Sequence, residues 1–478
     1  MQNIYQVEAL TNKSLGLLER FFIHRHHLKL YNSVAVTATY TAPRKLLQAA
    51  GNIESLVYTA LQTVINKQAI LGVTVQDADT PEPKWVRLES IDLSRVVSIV
   101  DIDPKSNLDT ALQTAHTIEF EPVDELPLWR VVIFALDSQL KANNDSFSFG
   151  VGFFFHHGIG DGLSGKAFHL SFLPALNELS DTKFIQQSTI QIPKLPLIPN
   201  VELNAEFPVT IWFALKQIIN EFVFSRASPL SWTGPLVPTT PPTTRPTINI
   251  RSFSLPSPAI TTLLAKCRAE GTSLTALFAV LVARKLALMY PTHSRFSSII
   301  PFSLRKFSGH TPLDIGVYFS GATTSFSSET PLPSGHISCA SPAAGSEDTA
   351  LWDSARAYKA SIATLTSSPA NQGVGLIKFV KNNLPGFFLG KLGKARENAF
   401  EISNIMSLDG TSGEVSIERV HFTATLATFA VPFLVDVASV KGGDMTACVC
   451  WDPTVVEEKD AGEMSSWFEG QVRGLCEE

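Results

Sequence analysis

The residues best equipped for chemistry are consecutive: His156-His157-Gly158-Ile159-Gly160-Asp161-Gly162. A neutral imidazole near its ordinary pKa can take a proton from a hydroxyl or amine and later return it to a leaving group. Just before this stretch lies Phe147-Ser148-Phe149-Gly150-Val151-Gly152-Phe153-Phe154-Phe155, whose aromatics and alternation mark a buried strand. Just after it, residues 163–173 read as a helix that Pro174 ends or kinks. The chemistry would therefore sit at the end of a strand, with the glycines letting the backbone turn sharply and letting substrates approach.

Three chemistries compete for these residues. A metal held by His156, His157 and Asp161 is disfavoured, because successive residues leaving a strand point to opposite faces and adjacent histidines rarely share one ion. A phosphate-binding loop is suggested by Gly160-Asp161-Gly162-Leu163-Ser164-Gly165-Lys166, but Ala167 stands where that loop needs a magnesium-binding hydroxyl, and Asp161 would repel phosphate. A single general base fits best: one imidazole faces a cleft while its neighbour packs inward. No Gly-x-Ser-x-Gly elbow occurs here, so direct attack by a bound acceptor is the simpler scheme.

Composition narrows the partners. The chain has 478 residues, 45% hydrophobic and 17% charged, which is long enough for two or three domains and marks a globular protein with a large core. A formal charge of -6 and a pI near 6.0 argue against nucleic acid, whose phosphates demand concentrated Lys and Arg. Five cysteines without metal-type spacing fit a reducing compartment, and with no secretory leader read at residues 1–19 the expected location is cytoplasmic. His24, His26 and His27 invite a metal, but no carboxylate or thiol nearby completes a coordination set.

The elements that must position the base follow from pattern. Residues 33–40 read as a strand, 44–50 and 54–66 as helices, 85–91 and 96–102 as strands, and 108–120 as a helix. Residues 126–134 form a strand that pairs antiparallel with the aromatic run through a polar turn at 141–145. Residues 207–224 are helical after Pro208 and are read as a core helix rather than an interfacial one, because the charged face is thin. Residues 229–247, with six prolines and six threonines, have the composition of a linker.

Beyond them come a strand at 248–255, a helix at 258–270, and a long helix at 274–289 capped by Ser273. Residues 299–305 form a strand ending in Arg305, residues 320–346 a Ser/Gly/Pro/Thr-rich loop, and residues 348–367 a helix. Residues 402–405 are strand-like. The end reads as a hairpin succession over 415–422, 429–440 and 445–451, turning at Gly442-Gly443, with a closing helix over 460–475. The class is α/β with mixed sheets.

The motif with its context resembles the HHxxxDG signature of the CoA-dependent acyltransferase superfamily, which includes plant BAHD acyltransferases, chloramphenicol acetyltransferase and peptide-synthetase condensation domains. The stretch 19–40, Pro127-Leu128-Trp129-Arg130, Leu304-Arg305 and Phe400-Glu401-Ile402-Ser403-Asn404 stand in the order expected for it, most like the fungal alcohol acetyltransferase-like branch. The plant DFGWG segment is replaced by Ser407-Leu408-Asp409-Gly410-Thr411, which argues against plant-type substrates.

The resemblance implies two chloramphenicol-acetyltransferase-like domains, residues 1–225 and 248–478 around a linker at 226–247, each a mixed sheet flanked by helices, with a tunnel between them. It implies His157 as the base, with Asp161, Gly162 and Arg305 supporting the site, and Asp161 paired to Arg305. It implies His156, Ser403 and Asn404 as candidates for contacting substrate or the oxyanion. It also implies acyl-CoA as cosubstrate, no tightly bound cofactor, no metal, and a small apolar alcohol or amine as acceptor, a secondary metabolite being the expected kind. A monomer is expected, with peripheral membrane contact through residues 207–224 and 387–396. The alternatives are condensation or cyclisation of a carrier-bound substrate on the same fold, and a non-catalytic scaffold.

Overall fold

The computed structural model describes residues 13–102, 108–135, 144–181, 184–223, 228–341 and 349–477. The expected α/β architecture is present as two main mixed sheets flanked by helices. The first has five strands, in the order Ser416–Ala424, Val34–Pro43, Ser146–Phe155, Trp129–Ala135 and Val97–Asp101, antiparallel except for the last pair. The second has seven: Asn249–Leu255, Met445–Trp451, Phe433–Val440, Phe400–Leu408, Arg295–Ser303, Phe319–Ser327 and His336–Ser338. Parallel pairing joins Phe400–Leu408 to both of its neighbours.

The strand that ends in the His motif is buried on both faces from Phe149 to Phe155. Its two glycines make that possible. Gly150 lies opposite Phe134, and a β-carbon there would stand 3.0 Å from the Phe134 Cβ, so the missing side chain leaves room for the ring. Helix Gly162–Asn177 then packs back across Val34–Pro43 and against helix Ile53–Ile65.

Several expectations are corrected. Helix Gly162–Asn177 runs through Pro174 instead of ending there. The proline forfeits one backbone bond, a loss of about 3 kcal/mol. Burial of Leu173 and Leu176, at about 1.5–3 kcal/mol each, offsets it. The loop expected over 320–346 contains strands Phe319–Ser327 and His336–Ser338, the first paired antiparallel along its whole length with Arg295–Ser303. Ser320, Ala322, Thr324 and Phe326 are buried while the residues between them are more open, a period-two pattern that composition had masked. Residues 342–346 of that stretch, and 141–143 of the polar turn, lie outside the described residues.

Helix Ile211–Val223 is not a core helix: Ile211 is 78% and Trp212 77% exposed, with Leu215 and Ile219 also outward. Thin charge on a helix does not imply burial when the helix has nothing to pack against. The closing strands also differ. Phe433–Val440 and Met445–Trp451 form the expected hairpin, turning at Gly442 with φ +74. Ser416–Ala424 leaves it, crossing to the first sheet to pair with Val34–Pro43.

Ser273 caps helix Leu274–Met289 through the Ala276 N–H, as its position predicted. The Pro/Thr stretch is held to both halves: Arg245 pairs with Glu121 at 3.0 Å, Lys29 donates to the Thr243 carbonyl, and Val237 N–H donates to Lys394. Among the described residues no single helix is long and apolar enough to cross a membrane.

Candidate active site

Asp161 is the N-cap of helix Gly162–Asn177 and the most heavily bonded side chain of the motif. Its Oδ1 accepts from Ser164 N–H and Ser164 Oγ, both at 2.9 Å. Arg305, 144 residues away on the other half, donates Nη1 to Oδ2 at 2.7 Å and Nη2 to Oδ1 at 3.0 Å. The Tyr318 N–H adds a bond to Oδ2 at 3.1 Å. Burial pushes the Asp161 carboxyl up, but the Arg305 guanidinium, Ser164 and Tyr318 outweigh it and hold the group below the usual carboxylate range. Arg305 also donates to the Asp314 carbonyl and lies 4.9 Å above the Tyr318 ring.

Ser164 was not singled out by sequence. It is fully buried; its one hydroxyl proton is shared between Asp161 Oδ1 and the Gly316 carbonyl, 2.8 Å away, and its oxygen accepts from the Gly316 N–H at 3.1 Å, tying the loop of one half to the other. Lys166 does not cradle an anion; it donates to the carbonyls of Ile405 and Ser407. The motif glycines are not in the left-handed region. Gly162 instead permits close approach, since a β-carbon there would lie 2.9 Å from the Phe422 ring and 3.0 Å from Ile405 of the facing half.

The two histidines divide as strand alternation requires. His156 is buried, its Nδ1 accepting from the Gly158 N–H at 2.8 Å and its ring 4.2 Å from that of His26. His157 lies between the halves. Its ring stacks on Phe22 at 4.1 Å and 4°, and Phe319 of the second sheet lies 5.1 Å from it and 5.6 Å from Phe22, so the three rings form one cluster. Nδ1 is enclosed by protein and without a hydrogen-bonding partner. Nε2 is not among the enclosed, unpartnered atoms, and the residue keeps part of its surface accessible.

Burial, and after it the charge of Arg25, push the His157 imidazole down to about 3; nearby carbonyls and Asp161 oppose them. The ring is therefore neutral throughout the physiological range. His157, Arg25, Glu401 and Ser403 all keep accessible surface, while strong desolvation of the first three puts them deep in the interior. They lie where the two halves face each other.

Ser403 and Asn404 point to opposite faces of strand Phe400–Leu408. Ser403 shares its face with Glu401 and has no fixed partner. The Asn404 amide is committed to Thr275 Oγ1 at 3.0 Å, and its carbonyl oxygen to the Met406 N–H at 2.7 Å. Of the two, Ser403 is the one free to contact a ligand. Sequence reasoning also missed Phe22, Arg25 and Tyr31, whose helical spacing was visible only as part of a His-rich run.

Other buried histidines bear on stability. His116 bonds Ser33 and Thr423, His169 bonds Tyr40 and the Val36 carbonyl, and His421 is enclosed. Burial lowers them to about 3, 4 and 4 respectively. An unfolded histidine, with its ordinary pKa near 6.5, binds the proton that these folded ones refuse, so stability is full above pH 6.5 and falls as pH drops toward the folded values. Each group should withdraw about 2 kcal/mol by pH 5. The thermal unfolding midpoint is expected to fall steeply between pH 7 and 5, and a midpoint constant over that range would contradict this.

Comparison with known proteins bears on the family and the fold. The family model described as alcohol acetyltransferase matches residues 100–469. A probable alcohol acetyltransferase of Aspergillus fumigatus is 25% identical over 93% of this chain and 96% of its own length. One of Fusarium pseudograminearum is 26% identical over 93% and 91%. Among solved structures, the trichothecene 15-O-acetyltransferase of Fusarium sporotrichioides superposes with a TM-score of 0.71 at 11% identity, covering 99% of this chain and 97% of that one. The first condensation domain of the CDA synthetase gives 0.62 at 11% identity, covering 98% and 97%. With a family model matched over most of its length, the chain belongs to the alcohol acetyltransferase family.

Proposed function

We propose that this acyltransferase moves an acetyl group from acetyl-CoA to the hydroxyl of a small alcohol, with His157 as general base. His157 Nε2 takes the hydroxyl proton as the oxygen attacks the thioester carbonyl. The resulting oxyanion is held by a donor such as Ser403 Oγ, an interaction worth about 2.7–4 kcal/mol where such donors have been removed. Collapse breaks the C–S bond, and the imidazolium returns the proton to the departing sulfur, giving the ester and free CoA thiol.

The observation that carries this reading is the partly exposed ring of His157, set against Phe22 of the first half and Phe319 of the second, on a strand end next to the turn that Asp161 and Arg305 hold in place. A neutral imidazole with Nδ1 protonated is in the correct form to accept. Its low pKa makes it a weak base in the empty site. Negative charge developing on the oxyanion nearby raises proton affinity when it is needed. Incubation with acetyl-CoA and a panel of alcohols, following ester and CoA thiol by mass spectrometry, tests the reading; absence of ester from every alcohol would refute it.

Peripheral contact with lipid belongs to the same proposal. The exposed Ile211, Trp212 and Leu215 on helix Ile211–Val223 support it, as an apolar ring and two aliphatic chains on one short helix suit a bilayer interface. Co-sedimentation with phosphatidylcholine vesicles is expected, reduced severalfold in Trp212→Ser.

A further inference from the structure

The sequence suggested an apolar acceptor because little fixed charge was visible near the motif. In the structure the side of the second sheet that faces the first half carries buried polar groups that no step of the transfer uses. Strands Phe400–Leu408 and Phe433–Val440 run parallel with Ser403 opposite Asp436 and Glu401 opposite Leu434. Phe400, Ile402, Phe433 and Val435 fill the core on one face of the sheet, so Glu401, Ser403 and Asp436 occupy the other, toward the first half.

Across the gap stand Tyr31, 5.7 Å from the His157 ring, and Arg25, whose guanidinium lies 4.1 Å above Tyr31. Arg25 acts electrostatically on both His157 and Glu401, and Glu401 acts on Asp436. The line from base to carboxyls is therefore short and continuous.

What marks this as a ligand site is its incompleteness. Asp436 is fully buried, yet neither carboxyl oxygen has a hydrogen-bonding partner. Arg25 Nε and Nη2 are likewise enclosed and unpartnered. Leaving one buried polar group unsatisfied costs about 1–3 kcal/mol, so a row of them is retained only where something supplies the missing bonds.

We infer, on the basis of the acyl transfer proposed above, that Glu401 and Asp436 form an acceptor subsite that binds a second hydroxyl of the alcohol while its first hydroxyl faces His157. A hydroxyl fits better than an ammonium. Burial raises Glu401 to about 7 and, with Glu401 beside it, raises Asp436 well above the usual range; Arg25 for Glu401, and the Ala424 amide for Asp436, pull weakly the other way. The neutral carboxyls can both donate to and accept from a hydroxyl. A cation would lie against Arg25. The preferred substrate class is thus a diol or polyol, not a simple aliphatic alcohol.

The test compares hexan-1-ol with the series of hexanediols, and with 6-aminohexan-1-ol, by calorimetric binding to the intact protein, with acetyl-CoA turnover measured in parallel. At least one diol should bind about tenfold or more tighter than hexan-1-ol. Glu401→Ala and Asp436→Ala should each erase most of that difference while the protein stays folded at the assay temperature. Asp436→Asn, closer in shape, should also reduce the preference, and it serves if an alanine variant does not fold.

Equal binding of hexan-1-ol and every diol, tighter binding of the amino alcohol than of any diol, or a diol preference that survives the substitutions overturns the inference. Turnover separates it from the proposed activity. Selective binding without ester formation would refute the transfer and leave the subsite, whereas ester formation without diol preference would do the reverse.

Discussion

His157→Ala is expected to lower acyl transfer at least a hundredfold, the lower end of what a positioned general base contributes. The loss should fall on kcat, because the imidazole acts on the proton in flight and the walls around it, Phe22 and Phe319, remain to bind substrate. The variant loses the packing of the ring on Phe22 and Phe319, but the protein should stay folded, since removal of a desolvated imidazole leaves no charge behind. The wild-type enzyme should also lack an acid limb near pH 6.5 for kcat/KM, because His157 in the free enzyme is depressed to about 3. A mutant with near-normal turnover, or a wild-type profile halving at pH 6.5 while the fold stays intact, would contradict the assignment.

The second large effect concerns the tie between halves. Arg305→Met strands the Asp161 carboxylate in the interior with three lesser donors, and breaking a buried pair from one side costs about 3–5 kcal/mol. Asp161→Asn strands the guanidinium instead and should cost a similar amount. Combining the two removes both charges, so the double variant should be more stable than the sum of the single losses predicts, with a coupling of about 0.5–3 kcal/mol. Denaturant unfolding of the four proteins measures it, and strict additivity would show that the pair is not one unit. Activity should fall in every variant. The His157 ring is aimed by a strand end whose following turn these bonds hold, and the double variant, though steadier, still lacks them.

Much of the site could be read before any coordinates because its chemistry is local. His156 and His157 alternate across a strand, so one had to face inward and the other outward, and Asp161 precedes the helix it caps. The partnership with Arg305 came only through resemblance, since nothing in its own surroundings points to a residue 144 positions earlier. Glu401 and Asp436 were not anticipated at all. Each sits inside an otherwise apolar strand, and pairing between Ser403 and Asp436 is what brings them side by side.

Period and composition also conflicted elsewhere. In Phe319–Ser327 the serines and threonines outvoted an alternation that was present, and in Ile211–Val223 an apolar surface was taken for a buried one. Both errors come from treating residue type as a proxy for environment. The motif glycines misled for a related reason: they were assigned to bending, whereas Gly162 is needed because Phe422 and Ile405 come so near.

Strand Ser416–Ala424 carries a consequence for how the chain is made. Asn32 N–H donates to Thr425 Oγ1, a bond between residues 393 apart, at the foot of the edge strand that completes the first sheet. At usual synthesis rates of 5–20 residues per second, Val34–Pro43 would wait roughly 20–80 s for that partner. During this interval the ribosome-bound chain exposes a ten-residue edge of alternating Val, Ala and Thr, the kind of template that recruits other strands. The first sheet therefore cannot be completed as the first half emerges, and that edge stays open until residues 416–424 have been made.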